Sequence, residues 1–286
     1  MRVIFSRGGS PDPPRSSLTL GAANACLRYV RLVGGNRMSA HLHWLEVIGR
    51  CRFWLAQSLE DSPRQQVSDT ECHRHVLIMN CSLQYACETL DAVTTELLAR
   101  RPLQAAVLVR TLFELAVRLR WASVNDDGWR RLAAYWVRQH EKSLKEVDQT
   151  HLCGEAADRR NGLLEDYGAF LEEVTSPQPG QFDQVLDQTI QEIDGRNNRN
   201  WSGTLYNGYR DLCRYAHANM TVCAGGVPFS DVGKVLLCNV CFATVQFVEA
   251  ARRALGDTFS EGDLDEIYAL PGLVDECLWN PEGLDV

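Results

Sequence analysis

The sequence predicts an all-α fold, a helical bundle of about seven to nine helices. Three observations carry that expectation. Apolar residues recur at spacings of three and four through most of the chain. No window alternates apolar and polar residues as a half-buried strand would. The breaks between periodic stretches carry Pro, Gly, Asn and Asp, which stop helices and make turns. With 286 residues, 45% hydrophobic and 23% charged, the chain can bury a large core. It shows neither an internal repeat nor a heptad run long enough for a coiled coil.

Residues 1–37 stand apart. They carry Gly8-Gly9, Pro13-Pro14 and Gly34-Gly35, with six arginines against one acid, Asp12. No apolar stretch there is long enough for a secretory signal. They are expected to be a disordered arm or an over-extended start, with Met38 opening the bundle. Met38 to Glu60 then has helical spacing and stops at Asp61-Ser62-Pro63. A second helix follows a Ser68 or Asp69 cap and runs through Met79, Leu83, Cys87, Leu90 and Val93 to about Arg100. Pro102 suits the first turn of a third helix, where its missing N–H is not needed.

That third helix, Leu103 to Val124, is apolar nearly all round, the mark of a helix inside a bundle. The fourth, Trp129 to about Thr150, is two-sided. Shorter helices are expected over 155–175 and 181–194, with a loop over Gly195–Asn200. Next come Leu205 to about Cys223 and Ser230 to Leu255. The Val235–Ala251 stretch is broken by Asn239, Gln246 and Glu249 and falls short of a membrane span, so it reads as a core helix and no membrane contact is expected. A weak last helix should begin near Ser260 and stop at Pro271-Gly272. The bundle domain is thus placed at 38–256 and an acidic C-terminal tail at 257–286.

Charge is unevenly spread. Nine acids and no Lys or Arg lie between Asp257 and Val286, so the formal charge of −8 belongs to the tail. An anionic partner elsewhere on the surface stays open, and the tail is a candidate protein-binding segment. Only Lys142, Lys145 and Lys234 are lysines among 29 basic residues. The arginines are dispersed, which fits a codon bias better than a phosphate-binding cluster. Eleven cysteines, many inside apolar helical patterns, read as free buried thiols of a reducing, cytoplasmic compartment. Cys238 and Cys241 form a C-x-x-C without the second pair, glycine or histidine that a zinc site would need. Cys72, His73 and His75 are crowded, but solvated or satisfied side chains are the simpler reading. No metal and no cofactor is expected, since no P-loop, Rossmann glycine pattern or nucleophile elbow occurs.

Two segments put charge inside apolar helix. Arg110 and Glu114 are one turn apart, so they share a face and should pair. Tyr209-Arg210-Asp211-Leu212-Cys213-Arg214-Tyr215-Ala216-His217 sets Arg210 and His217 seven apart, about 700° round a helix and so on one face. Arg110, Glu114, Tyr209, Arg210 and His217 are expected to form a buried polar network between two central helices. That network is either structural or the lining of a ligand or nucleotide pocket. Alternatively His217 moves a proton near neutral pH while Arg210 and Arg214 hold a phosphate, which would be RNA cleavage without a metal.

On these residues the chain resembles a bacterial family of uncharacterised helical proteins that pair an Arg-x-Leu-Phe-Glu-like segment with a Tyr-Arg-x-Leu-(Ser/Cys)-x-x-x-His segment. Trp201 also fits. The resemblance implies a helical fold and no activity. The Arg210-x6-His217 spacing resembles, more loosely, the HEPN superfamily of helical ribonucleases and toxins. That resemblance implies RNA as substrate, a homodimer, and a role in phage defence or a toxin system.

Overall fold

A computed structural model describes residues 40–60, 74–149, 154–197, 229–256 and 259–278, together with Tyr209, Arg210, Leu212, Cys213 and Tyr215. Among these residues there are eight α-helices and no strand. They are α1 (Ala40–Glu60), α2 (Arg74–Leu98), α3 (Pro102–Val124), α4 (Gly128–Gln149), α5 (Gly154–Glu173), α6 (Pro179–Asn197), α7 (Phe229–Leu255) and α8 (Glu261–Leu278). The all-α expectation is met. The loop expected from Gly195 starts later, because α6 runs to Asn197.

The core is organised around α7. From Leu236 to Ala251 every residue of this helix is buried. Val232–Leu255 has the length and apolarity to cross a bilayer, but 89% of its most apolar window is covered by other helices. It packs mainly on α3 and also on α1, α8 and α2. Two contacts fix its register on α3: Phe113 stacks on Phe242 with ring centroids 5.0 Å apart, and Arg120 pairs with Glu249 at 3.3 Å. Both pairs are 129 residues apart in sequence, so α3 and α7 run parallel with matched turns. The α1 contacts, Trp44 with Gly233 and Cys51 with Cys241, show the same parallel relation.

Local chemistry explains the ends. At the end of α2, Arg100 takes a left-handed conformation (φ 56°), and the amides of Arg100 and Arg101 return to the carbonyls of Leu97 and Glu96. This pattern satisfies carbonyls that would otherwise be orphaned. Pro102 then opens α3 as expected. α4 and α5 form an antiparallel hairpin, joined by Arg130–Glu173 at 2.8 Å and Arg160–Glu141 at 3.2 Å. Arg138 donates to the carbonyls of Leu171 and Val174 at the end of α5, where a cation meets the negative end of the helix dipole.

The C-terminal region departs from expectation. Ser260 caps α8: its hydroxyl and amide both donate to the Asp263 carboxylate, and the Asp263 amide donates back to the Ser260 hydroxyl at 3.2 Å. This is a capping box. These bonds hold the Asp263 carboxyl below its usual pKa. The helix does not stop at Pro271 but continues to Leu278. Phe259, Ile267, Tyr268, Leu270 and Val274 join the main core, and their burial outweighs the hydrogen bond lost at proline. From Glu261 to Val274 the acidic region is therefore a packed helix that exposes Glu261, Asp265 and Glu266.

Beneath α8 lies a buried ion cluster. Arg120 is 4% exposed and Glu249 11%. Arg252 adds a second contact to Glu249 at 3.1 Å, and the Tyr268 hydroxyl donates to the same carboxylate. One carboxylate thus ties α3, α7 and α8 together. Removing one partner leaves the other charge buried and uncompensated. Glu249→Ala is therefore expected to lower stability by about 3–5 kcal/mol in urea unfolding. Arg120→Met with Glu249→Leu should lose less than either single change.

A Cβ on Gly233 would stand 1.9 Å from the far edge of the Trp44 indole, and Trp44 is fully buried. Gly233→Ala should destabilise by about 1–3 kcal/mol through overpacking. Combining it with Trp44→Leu should cost less than the sum of the two single changes, measured by thermal unfolding.

Candidate functional site

The site is assembled on one stripe of α3. Arg110, Glu114 and Arg118 are spaced by four, so they stack along a single face. The Arg110 Nε donates to Glu114 Oε1 at 2.9 Å. Arg118 reaches Glu114 Oε2 at 3.4 Å, and its guanidinium lies 5.5 Å from the centre of the Tyr135 ring on α4. One carboxylate thus sits between two cations.

The helical residues around Tyr209 dock on this stripe. The Tyr209 hydroxyl donates to Glu114 Oε1 at 3.3 Å. Its ring stacks on Phe113 with centroids 4.8 Å apart, and Phe113 in turn stacks on Phe242 of α7. Three aromatic rings therefore run from the core out to the segment. Leu212 is fully buried and anchors the same turn by its apolar side. Arg210 is exposed, while Tyr209 and Cys213 are half-buried.

The electrostatics follow from this arrangement. Burial pushes the Tyr209 phenol well above its ordinary pKa, and the Glu114 carboxylate and the Cys213 thiol push the same way. The phenol stays a neutral donor. For Arg110, burial works against the charge, but the hydrogen bond and charge of Glu114 outweigh it and raise its pKa.

The structure corrects one sequence expectation. Arg110 and Glu114 meet as the spacing required, but they are 26% and 29% exposed rather than buried. Arg210 is exposed. The reason is the third member of the stripe: with Arg118 beside Glu114, this face of α3 is polar over two turns. The buried face carries Ala105, Val109, Leu112, Ala116 and Leu119. Arg118 was legible at i+4 from Glu114. The Phe242 and Tyr209 stacking partners of Phe113 left no local signal. His217 and Arg214 lie outside the described residues, as do Asp211 and Trp201.

Among the described residues no group of three or more His, Cys, Asp or Glu is placed to hold a metal ion. Cys72 and His73 lie outside them, and the His75 ring is 6.5 Å from that of Trp129. A separate open groove of ≈ 440 Å³ runs between α2, α3 and α4, lined by Leu77, Ile78, Cys81, Ser82, Tyr85, Leu115 and Trp136. None of the polar site residues lines it. A nucleotide would find only the hydroxyls of Ser82 and Tyr85 and the indole N–H of Trp136 there, without a single charge to meet its phosphates.

A family of unknown function (DUF5677) matches residues 76–224, just over half of the chain. The chain belongs to this family. The stretch shared with DUF5677 runs from the first turn of α2 through Glu114 and on past His217, so it contains both polar segments. No curated protein and no solved structure matches the chain.

The raised pKa of Tyr209 has a measurable consequence. Below the ordinary tyrosine range near ~10 the phenol is protonated whether the chain is folded or not. As the pH rises above that range the unfolded chain ionises first, so stability is lost progressively. Alkaline absorbance titration should show one tyrosine ionising after the exposed ones. Tyr209→Phe should remove that late component.

Proposed function

We propose that this DUF5677 protein cleaves RNA without a metal ion, in the bacterial cytoplasm, at the segment from Tyr209 to His217. The observation that carries the reading is the exposure of Arg210 next to a tightly anchored Tyr209. A purely structural network would be closed on all sides. Here the anchoring residue points inward and the following arginine is left in water. Arg210 is exposed, and a guanidinium at that place would suit a phosphate.

The roles divide accordingly. Arg110, Glu114 and Tyr209, supported by Arg118, hold the segment on α3. Arg210 and Arg214 would bind the phosphodiester and stabilise charge developing on it. His217, which the seven-residue spacing expects on the face of Arg210, would take the proton of the RNA 2′-hydroxyl as that oxygen attacks the adjacent phosphorus. The bond to the 5′-oxygen then breaks, and the leaving oxygen collects a proton from water or an imidazolium. The products would be a 2′,3′-cyclic phosphate and a free 5′-hydroxyl. The spacing resembling HEPN ribonucleases supports the same reading, and with it a role in defence or as a toxin and a second copy as partner.

The test is expression of wild type beside His217→Ala and Arg210→Ala, following total RNA and confirming each fold by circular dichroism and thermal midpoint. Wild type should fragment RNA. Folded His217→Ala should lose about 10²–10⁴-fold in cleavage rate, the usual contribution of a positioned acid or base. Intact RNA in the wild-type culture and in purified assays, with both variants merely less stable, would return the cluster to a structural role.

A further inference from the structure

The core contains a thiol pair that the proposed site does not use. Cys51 on α1 and Cys241 on α7 face each other with their Sγ atoms 3.9 Å apart. Both are fully buried and neither is in a disulfide. The two helices run parallel at this point, held above by the Trp44 indole against Gly233. A disulfide needs its sulfurs at about 2.05 Å, so the gap to close is about 2 Å.

We propose that Cys51 and Cys241 are a redox modification site, forming a disulfide that locks α1 to α7 when the chain meets a peroxide-class oxidant. In the first step, during a local opening that admits peroxide to the otherwise buried sulfurs, one thiolate attacks the peroxide O–O bond, giving a sulfenic acid and one water once the proton is counted. In the second, the facing thiol attacks the sulfenyl sulfur. The S–O bond breaks and the departing hydroxide takes the thiol proton as a second water. Two thiols lose two electrons in all, and one peroxide gains them.

The closeness of the two sulfurs makes the second step intramolecular, so the sulfenic acid is captured before it can oxidise further. The bond would join positions 190 apart, and closing so long a loop restricts the unfolded state strongly. Its position also has a consequence for the surface. Cys241 precedes Phe242, whose ring supports Phe113 and through it Tyr209. Locking α7 to α1 would stiffen the platform under that segment. Cys238, one turn earlier on α7 and also buried, is the internal alternative. Cys81, exposed on α2, reports whether oxidant has reached the protein.

The experiment treats the reduced, folded full chain with hydrogen peroxide, alkylates remaining thiols in denaturant, and maps peptides without reduction. A linked peptide joining Cys51 to Cys241, short of two hydrogen atoms, is expected. It should come with a higher thermal midpoint that reductant reverses, and Cys241→Ala should abolish that rise. Should this variant fail to fold, the wild-type peptide map decides alone. Recovery of Cys51 and Cys241 as alkylated thiols after Cys81 has been oxidised would overturn the proposal. So would a link from Cys51 to Cys238 in their place.

Discussion

The structure depends on one carboxylate in its core. Glu249 accepts from Arg120, Arg252 and Tyr268, which come from α3, α7 and α8. An ion pair so deeply buried is not a strong source of stability by itself, because both charges must leave water. Its effect is to fix register. Apolar helices slide against one another at little cost, whereas a buried charge has one acceptable position. Setting Arg120 opposite Glu249 puts Phe113 opposite Phe242 two turns away. Everything built on Phe113 inherits that alignment.

What is built there is a short relay from core to surface. Phe242 supports Phe113, Phe113 supports the Tyr209 ring, and the Tyr209 hydroxyl ends on Glu114. Glu114 is held by cations on both sides along its own helix, so it can accept from Tyr209 without leaving its place. The phenol cannot lose its proton in the ordinary pH range, which keeps it a donor. Anchoring at a ring and a hydroxyl fixes the backbone from which the exposed Arg210 extends. On the proposed reading a phosphate would be met there, by a guanidinium whose planar fork suits bidentate contact.

Much of this was legible in the sequence, and the exceptions have physical reasons. Helix existence followed from spacing, and Pro102 marked the start of α3. The pairing of Arg110 with Glu114 followed from a four-residue interval. Their degree of burial did not, because the apolar character of α3 was counted along the chain rather than around the helix. Glu249 was visible as a charge interrupting an apolar stretch. Its partner Arg120 was not, since no local pattern links positions 129 residues apart. Pro271 was read as a stop on propensity alone, yet Leu270 and Val274 on either side are buried. Ser260 was marked as a helix start, and its capping box with Asp263 was already spelled out by the interval of three.

The excess of arginine over lysine gains a different meaning from the structure. Dispersed arginines in a sequence suggest codon usage. In the fold, several occupy positions where a planar, multiply donating cation is required. Arg52 grips Asp91 with two nitrogens at 2.5 and 2.9 Å. Arg131 donates to the Thr175 carbonyl and the Gln181 side chain while lying 5.0 Å from the centre of the Trp121 ring. Arg138 spans two carbonyls at the end of α5. An ammonium could replace none of these contacts in full. Helix ends, ring faces and carboxylates decide where the arginines are engaged. The proposed role of Arg210 accordingly rests on its place beside the anchored Tyr209, not on basic charge as such.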